Sequence, residues 1–197
     1  ELPVAVISAQ TRQAGVNDDL DGDAVPDLVF RNGQTGDTFA WLLNADRTFR
    51  TPAYLGNVGI EWDLAGMKDI NGDGHLDAIW RNSVTGAAYV WYFDGLQYTG
   101  FDYLFTLDPA FKVAAVADFN GDGRADFVLR ERATGMTIVW YFNGTQYLSG
   151  EFMFTLDPGW QIGGAADVNG DGKTDFLVSE LASGNAGVWY MNGAQYQ

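Results

Sequence analysis

The sequence predicts an all-β fold: a β-propeller of four four-stranded blades, about 49 residues each. Three observations lead there. An Asp-rich loop recurs four times at nearly constant spacing. The stretches between loops break into short runs of strand-forming residues divided by turn signals, with no helical period of useful length. The Trp-bearing strand of each repeat is apolar on both faces, whereas an antiparallel sheet with one wet face alternates cleanly. Small sheets buried on both sides and repeated every 40 to 50 residues or so indicate propeller blades.

The loops come first. They read Asp19-Leu20-Asp21-Gly22-Asp23-Ala24-Val25-Pro26-Asp27, Asp69-Ile70-Asn71-Gly72-Asp73-Gly74-His75-Leu76-Asp77, Asp118-Phe119-Asn120-Gly121-Asp122-Gly123-Arg124-Ala125-Asp126 and Asp167-Val168-Asn169-Gly170-Asp171-Gly172-Lys173-Thr174-Asp175. A Trp follows each leading Asp by 22 residues: Trp41, Trp91, Trp140 and Trp189. Thr35-Gly36, Thr85-Gly86, Thr134-Gly135 and Ser183-Gly184 precede them. In the second repeat, Asp77 to Arg81 predicts a short strand, Ser83 to Gly86 a turn, and Ala87 to Phe93 a second strand. Asp94-Gly95 is a hairpin signal, matched by Asn143-Gly144 and Asn192-Gly193. Gln97 to Thr106 predicts a third strand, closed by Leu107-Asp108-Pro109. Phe111 to Ala117 predicts a fourth, running into the next Asp loop.

The expected domain is single and spans 1–197. From Asp167 the chain has 31 residues, and the 18 before Asp19 complete one repeat of 49. Residues 1–18 are therefore expected to complete the last blade, Val4-Ala5-Val6-Ile7 as its outer strand and Gln13-Ala14-Gly15-Val16 as its inner one. The alternatives are half of an eight-bladed dimer, or a piece of a larger propeller. The chain begins at Glu1 without Met, which reads as a processed or excised form.

Composition narrows the function classes. With 47% hydrophobic and 15% aromatic residues the chain can bury a core, so its formal charge of -15 does not mark a disordered acidic tail. Eleven Lys and Arg against 26 Asp and Glu argue against a nucleic-acid partner. No apolar run is long enough for a membrane-spanning helix. The absence of Cys removes disulfides and thiolate metal sites.

The loops have the donor set of a calcium site. Oxygen ligands fall at positions 1, 3, 5 and 9, and position 7 supplies a backbone carbonyl: Asp19, Asp21, Asp23, Val25 and Asp27; Asp69, Asn71, Asp73, His75 and Asp77; Asp118, Asn120, Asp122, Arg124 and Asp126; Asp167, Asn169, Asp171, Lys173 and Asp175. Calcium takes roughly 6 to 8 oxygens in a flexible shell. The lack of nitrogen and sulfur ligands disfavours zinc and copper. Acidic β-turns are the competing reading, and four copies in register weigh against it. Ala24 replaces Gly in the first loop and Pro26 stiffens it, so weaker binding is expected there. Four structural ions would move the charge from -15 to about -7. Their expected role is to tie the inner strand of one blade to the first strand of the next. Exposed modules bind calcium at about 10⁻⁴ to 10⁻³ M, which suits a secreted, extracellular protein.

These loops, the strand behind each and the repeat length resemble the FG-GAP or VCBS repeats of β-propellers, found in integrin α-chains and many secreted bacterial proteins. The string from Asp69 to Asp77 with Trp80-Arg81-Asn82, Thr85-Gly86, Trp91 and Asp94-Gly95 is similar to propeller lectins of the bacterial Photorhabdus type and the fungal Psathyrella type. The resemblance covers essentially the whole chain and implies a bacterial, calcium-stabilised, carbohydrate-binding propeller. Those lectins typically have seven blades, whereas four repeats stand here. Trp-Arg-Asn is intact only in the second copy, reading Phe30-Arg31-Asn32, Leu129-Arg130-Glu131 and Val178-Ser179-Glu180 elsewhere.

Two partner classes follow: a glycan or an extracellular protein, met by a monomer or homodimer. Trp62, Trp80 and Trp160 vary between copies, as ligand-stacking residues do, and Arg31, Arg81 and Arg130 can hydrogen-bond hydroxyls between blades; core packing and pairing with loop carboxylates are the competing roles. The recurrent Trp41, Trp91, Trp140 and Trp189 read as inter-blade packing. An integrin-like adhesion module, or an accessory domain of a larger secreted enzyme, is the alternative. No nucleophile, base and stabiliser converge, Glu131 and Glu180 repeat rather than pair, and His75 is a loop residue, so the chain does not read as an enzyme.

Overall fold

The computed structural model describes residues 19–197. All of its regular elements are antiparallel β-strands. The first sheet is β1 (Leu28–Arg31), β2 (Asp37–Leu43) and β3 (Phe49–Asn57). The second is β4 (Trp62–Lys68), β5 (Asp77–Asn82), β6 (Ala87–Asp94) and β7 (Gln97–Thr106), side by side in that order. The third repeats it with β8 (Phe111–Ala117), β9 (Asp126–Glu131), β10 (Met136–Asn143) and β11 (Gln146–Thr155). The last comprises β12 (Trp160–Ala166), β13 (Asp175–Glu180) and β14 (Ala186–Trp189), followed by the short hairpin β15 (Met191–Asn192) and β16 (Gln195–Tyr196). The strands expected at Val4–Ile7 and Gln13–Val16 lie outside the described residues.

The sheets stack as blades. Neighbouring inner strands β4, β8 and β12 approach one another. A methyl placed on Gly66 would touch the Val116 side chain at 3.4 Å. Period-two alternation sends each strand's side chains into two cores. On β5, Ala78 and Trp80 face the first sheet while Ile79 faces the third; on β9, Phe127 and Leu129 face back and Val128 forward. Three apolar cores, one between each successive pair of sheets, thus replace a single central one.

The propeller prediction holds, but one assignment is corrected. Each of the last three Asp loops joins the inner strand to the second strand of the same sheet, as 69–76 joins β4 to β5. It does not carry the chain from one blade to the next. The crossing is made by the segment after the outer strand, such as 107–110. The loop does abut the next blade: the Asn143-Gly144 turn of the third sheet rests on the Ile70 carbonyl, and Thr174 Oγ1 donates to the Asp118 carbonyl at 2.6 Å.

Candidate functional site

In each loop the leading Asp organises the turn. Asp69 accepts from the amides of Gly72 at 2.7 Å and Gly74 at 2.9 Å, and Asp118 does the same with Gly121 and Gly123, both at 2.7 Å. Asp167 and Asp19 repeat the pattern. The fifth residue accepts from the amide of the seventh: Asp73 from His75, Asp122 from Arg124, Asp171 from Lys173 and Asp23 from Val25, all within 2.9 Å. Asn71, Asn120 and Asn169 each donate a side-chain N–H to that same fifth carboxylate. Gly74, Gly123 and Gly172 take positive φ at position 6, and Ala24 adopts the same left-handed conformation at φ 65°.

The ninth residue is buried and braces the blade. Asp27, Asp77, Asp126 and Asp175 each accept from the amide of the second loop residue and from an amide 16 residues further on, in Leu43, Phe93, Phe142 or Met191. Burial pushes Asp77 and Asp126 up to about 6, and raises Asp27 as well.

These oxygen-only loops fit a hard cation. In the first loop, carboxylate oxygens of Asp19, Asp21 and Asp27 lie within 4.8 Å of one another. Oxygens around one hard cation such as calcium, at 2.3–2.6 Å, stand no more than about 5 Å apart, so that spacing suits a single positive centre, whether ion or side chain. In the other loops Asn occupies the third position and supplies an amide oxygen.

A guanidinium also reaches the first loop. Arg50, on β3, donates to Asp23 at 2.6 Å and makes a second short contact with Asp21. Sequence reasoning missed this residue, because it does not recur.

The three arginines expected at a ligand site are buried struts. Arg31 donates to the carbonyls of Val58 and Gly59, Arg81 to Leu107, Asp108 and Phe111, and Arg130 to Leu156 and Asp157. These acceptors lie at the crossing to the next blade or, for Phe111, at the first residue of that blade's inner strand. They pair with main-chain carbonyls rather than loop carboxylates, and their burial removes them from the surface. Ser179 holds the equivalent place in the last sheet, where no crossing follows among the described residues. Asn82 accepts from the Val84 and Thr85 amides, and Glu131 caps the next turn from Ala133 and Thr134 in the same way. The change from Asn to Glu there preserves a turn cap.

The tryptophans divide. Trp80 is 2% exposed and packs in the first core, and its ring also borders the cleft described next. Trp62 and Trp160, each the first residue of an inner strand, are half-buried. Trp62 helps to line an apolar cleft of about 370 Å³ on the second sheet, with Trp80, Tyr89, Trp91, Tyr98 and Phe101, closed on one side by Val58 of the crossing. Trp62 meets Tyr89 edge-on at 5.7 Å, and Tyr89 meets Phe101 at 6.0 Å. The corresponding place across the next interface is narrower in aromatics: Phe101 pairs with Trp91, whereas Gly150 pairs with Trp140. A larger polar cleft of about 740 Å³ lies between the second and third loops, lined in part by Asp69, Asn71, Asp118 and Arg124.

The FG-GAP-like repeat family matches residues 69–129 and 118–178, more than half of the chain. No curated protein matches it. Among solved structures, the chain is similar to the V. cholerae biofilm matrix protein Bap1, with a TM-score of 0.39 and 21% identity over 90% of this chain and 26% of that one. It thus spans about a quarter of that protein's length. With the four loops in register, the face-to-face antiparallel sheets and the family match from 69 to 178, the chain belongs to the FG-GAP-like repeat family.

Proposed function

We propose that this chain is a secreted binding module, stiffened by calcium at its Asp loops, that takes carbohydrate in the aromatic cleft of its second sheet, beside the crossing from the first. The carrying observation is the cleft itself: six aromatic side chains line about 370 Å³, and Tyr98 and Phe101 stay largely exposed at its rim. Aromatic faces present large, rigid apolar area at low conformational cost, which suits the C–H face of a pyranose. Polar groups would come from the ligand's own hydroxyls meeting water and rim carbonyls. Residues 1–18 complete the propeller in this reading, adding an inner strand to the first sheet and an outer strand to the last.

Glycan arrays in the presence of calcium test the proposal. A sugar that binds should lose about 2 kcal/mol, roughly thirtyfold in Kd, with Trp62→Ala or Phe101→Ala. Trp160→Ala, outside the cleft, should leave binding unchanged. No binding across a broad array, or binding indifferent to Trp62 and Phe101, would overturn the carbohydrate reading. Protein recognition is the second reading, favoured by apolar exposure along the outer strands at Tyr54, Tyr103, Leu148 and Phe152.

A further inference from the structure

The four Asp loops are not equivalent, and the difference lies in Arg50. This residue sits in a bulge of β3. Its neighbours Phe49 and Thr51 pair with Leu43 and Leu42, leaving Arg50 unpaired between them. The same bulge recurs on the outer strands of the next two sheets. Thr99 lies between Tyr98 and Gly100, which pair with Phe93 and Tyr92; Leu148 lies between Tyr147 and Ser149, which pair with Phe142 and Tyr141. One fold position therefore holds Arg in the first sheet and uncharged residues in the second and third.

From that bulge Arg50 reaches the third and fifth positions of the first loop. It donates one N–H to Asp23 at 2.6 Å and another to Asp21. Those are two of the positions whose oxygens a calcium ion would share. The loop differs from the other three at two further positions. Its third residue is Asp where the other three have Asn, which gives the guanidinium a second carboxylate to meet. Its sixth residue is Ala, held at φ 65°, where the others have Gly. A planar, permanently charged fork matches paired carboxylates in a way that no other side chain does. The Asp21 carboxylate that it meets belongs to the close group with Asp19 and Asp27, so its charge lies beside that group.

We infer that Arg50 is the cation of the first loop, occupying the carboxylates of its third and fifth positions, so that the chain takes calcium only at the loops opening with Asp69, Asp118 and Asp167. The inference rests on the proposed calcium binding at those three loops.

Native mass spectrometry of the full chain, titrated with calcium chloride alone, counts the ions. Wild type should bind three. Arg50→Gln should bind a fourth, and Arg50→Lys, which keeps the charge, should remain at three. Asp23→Asn should leave the wild-type count unchanged, whereas Asp73→Asn should lower it by one. Four ions on wild type, or no gain with Arg50→Gln, would overturn the role of Arg50 while leaving the calcium loops standing. No ions on either protein would overturn both. Melting curves in chelator guard against misfolding: Arg50→Gln should melt below wild type without calcium and recover most of the loss with it. A variant equally stable to wild type in chelator would also count against an internal cation.

Discussion

Asp77 has no exposed surface, yet its carboxylate meets only main-chain amides, those of Ile70 and Phe93. Desolvation outweighs those two donors and raises its pKa from 3.8 to about 6; Asp126 behaves alike. The folded chain therefore holds these protons more tightly than the unfolded chain does. Linkage then fixes the sign: the contribution is full below about pH 4 and is lost as pH rises through about 6. Asp73, Asp167 and Glu131, whose pKa values are lowered, act only below the ordinary carboxylate range and do not oppose this trend between pH 5 and 7. Calcium-free protein should accordingly melt at a higher temperature at pH 5 than at pH 7. Calcium, which favours the ionised carboxylates, should reverse the order. A calcium-free melting point that climbs from pH 5 to 7 would contradict the burial assigned to these two residues. The spacing of the ninth loop residue showed that it mattered. Its bracing role was hidden, because amides carry no side-chain signature. Arg50 was hidden for the opposite reason: repeats direct attention to what recurs, and it stands alone.

Between strands, the turn before β6 shows how a blade is locked to the crossing that follows it. Gly86 has φ 78°, and a Cβ there would lie 1.8 Å from the Leu107 carbonyl oxygen; the Gly86 carbonyl in turn accepts from the Leu107 amide at 3.0 Å. Gly36 and Gly135 are held the same way against Val58 and Leu156. Gly184 shares the positive φ, but nothing lies near it among the described residues. The two positions should therefore part on substitution. Gly184→Ala costs the left-handed conformation, about 1–2 kcal/mol. Gly86→Ala adds a clash with backbone that cannot yield, and should cost clearly more, above about 2 kcal/mol. Chemical denaturation compares them directly. Equal losses would mean that an outer strand also covers Gly184, as expected if residues 1–18 supply one. The Thr-Gly and Ser-Gly pairs were visible as recurring turns. The crossing they grip was legible only in part, through Leu107-Asp108-Pro109. The arginines recurred just as plainly, and their role turned on burial, which periodicity does not report.

Among the described residues, successive sheets are joined by three separate apolar cores. Stability in such an architecture is nearly a sum over neighbours, and anything that stiffens a seam acts locally. The Asp loops sit at those seams, against the hairpin of the next sheet. At 10 mM calcium and a Kd of about 10⁻⁴ to 10⁻³ M, each filled loop should add about 1.4 to 2.7 kcal/mol. For a chain of this size that is several degrees of melting temperature per loop. Thermal unfolding with calcium and with chelator tests this, and a melting temperature indifferent to chelator would sink the calcium reading. At this scale the sequence was most informative. The period matched the spacing of the described sheets, and the two apolar faces of the Trp-bearing strand announced stacking. It misplaced the loops by one strand, because a repeat can be cut at any point and only hydrogen bonding shows where a sheet begins.

The outermost faces of the described sheets show what the inner ones conceal. Ile79 and Val128 are 0% exposed between sheets, while Leu177, at the same place on the last sheet, is 47% exposed. Trp41 is 41% exposed on the first sheet, while Trp140 and Trp189 pack against Phe105 and Phe154 of the sheets before them. Each repeat thus carries a socket on one side and the matching plug on the other. A gene segment encoding one repeat, copied in tandem, would arrive with both couplings already fitted. Growth by duplication would need no new interface to evolve, which offers a physical reason for a lineage of such repeats to vary in blade number more readily than in blade design.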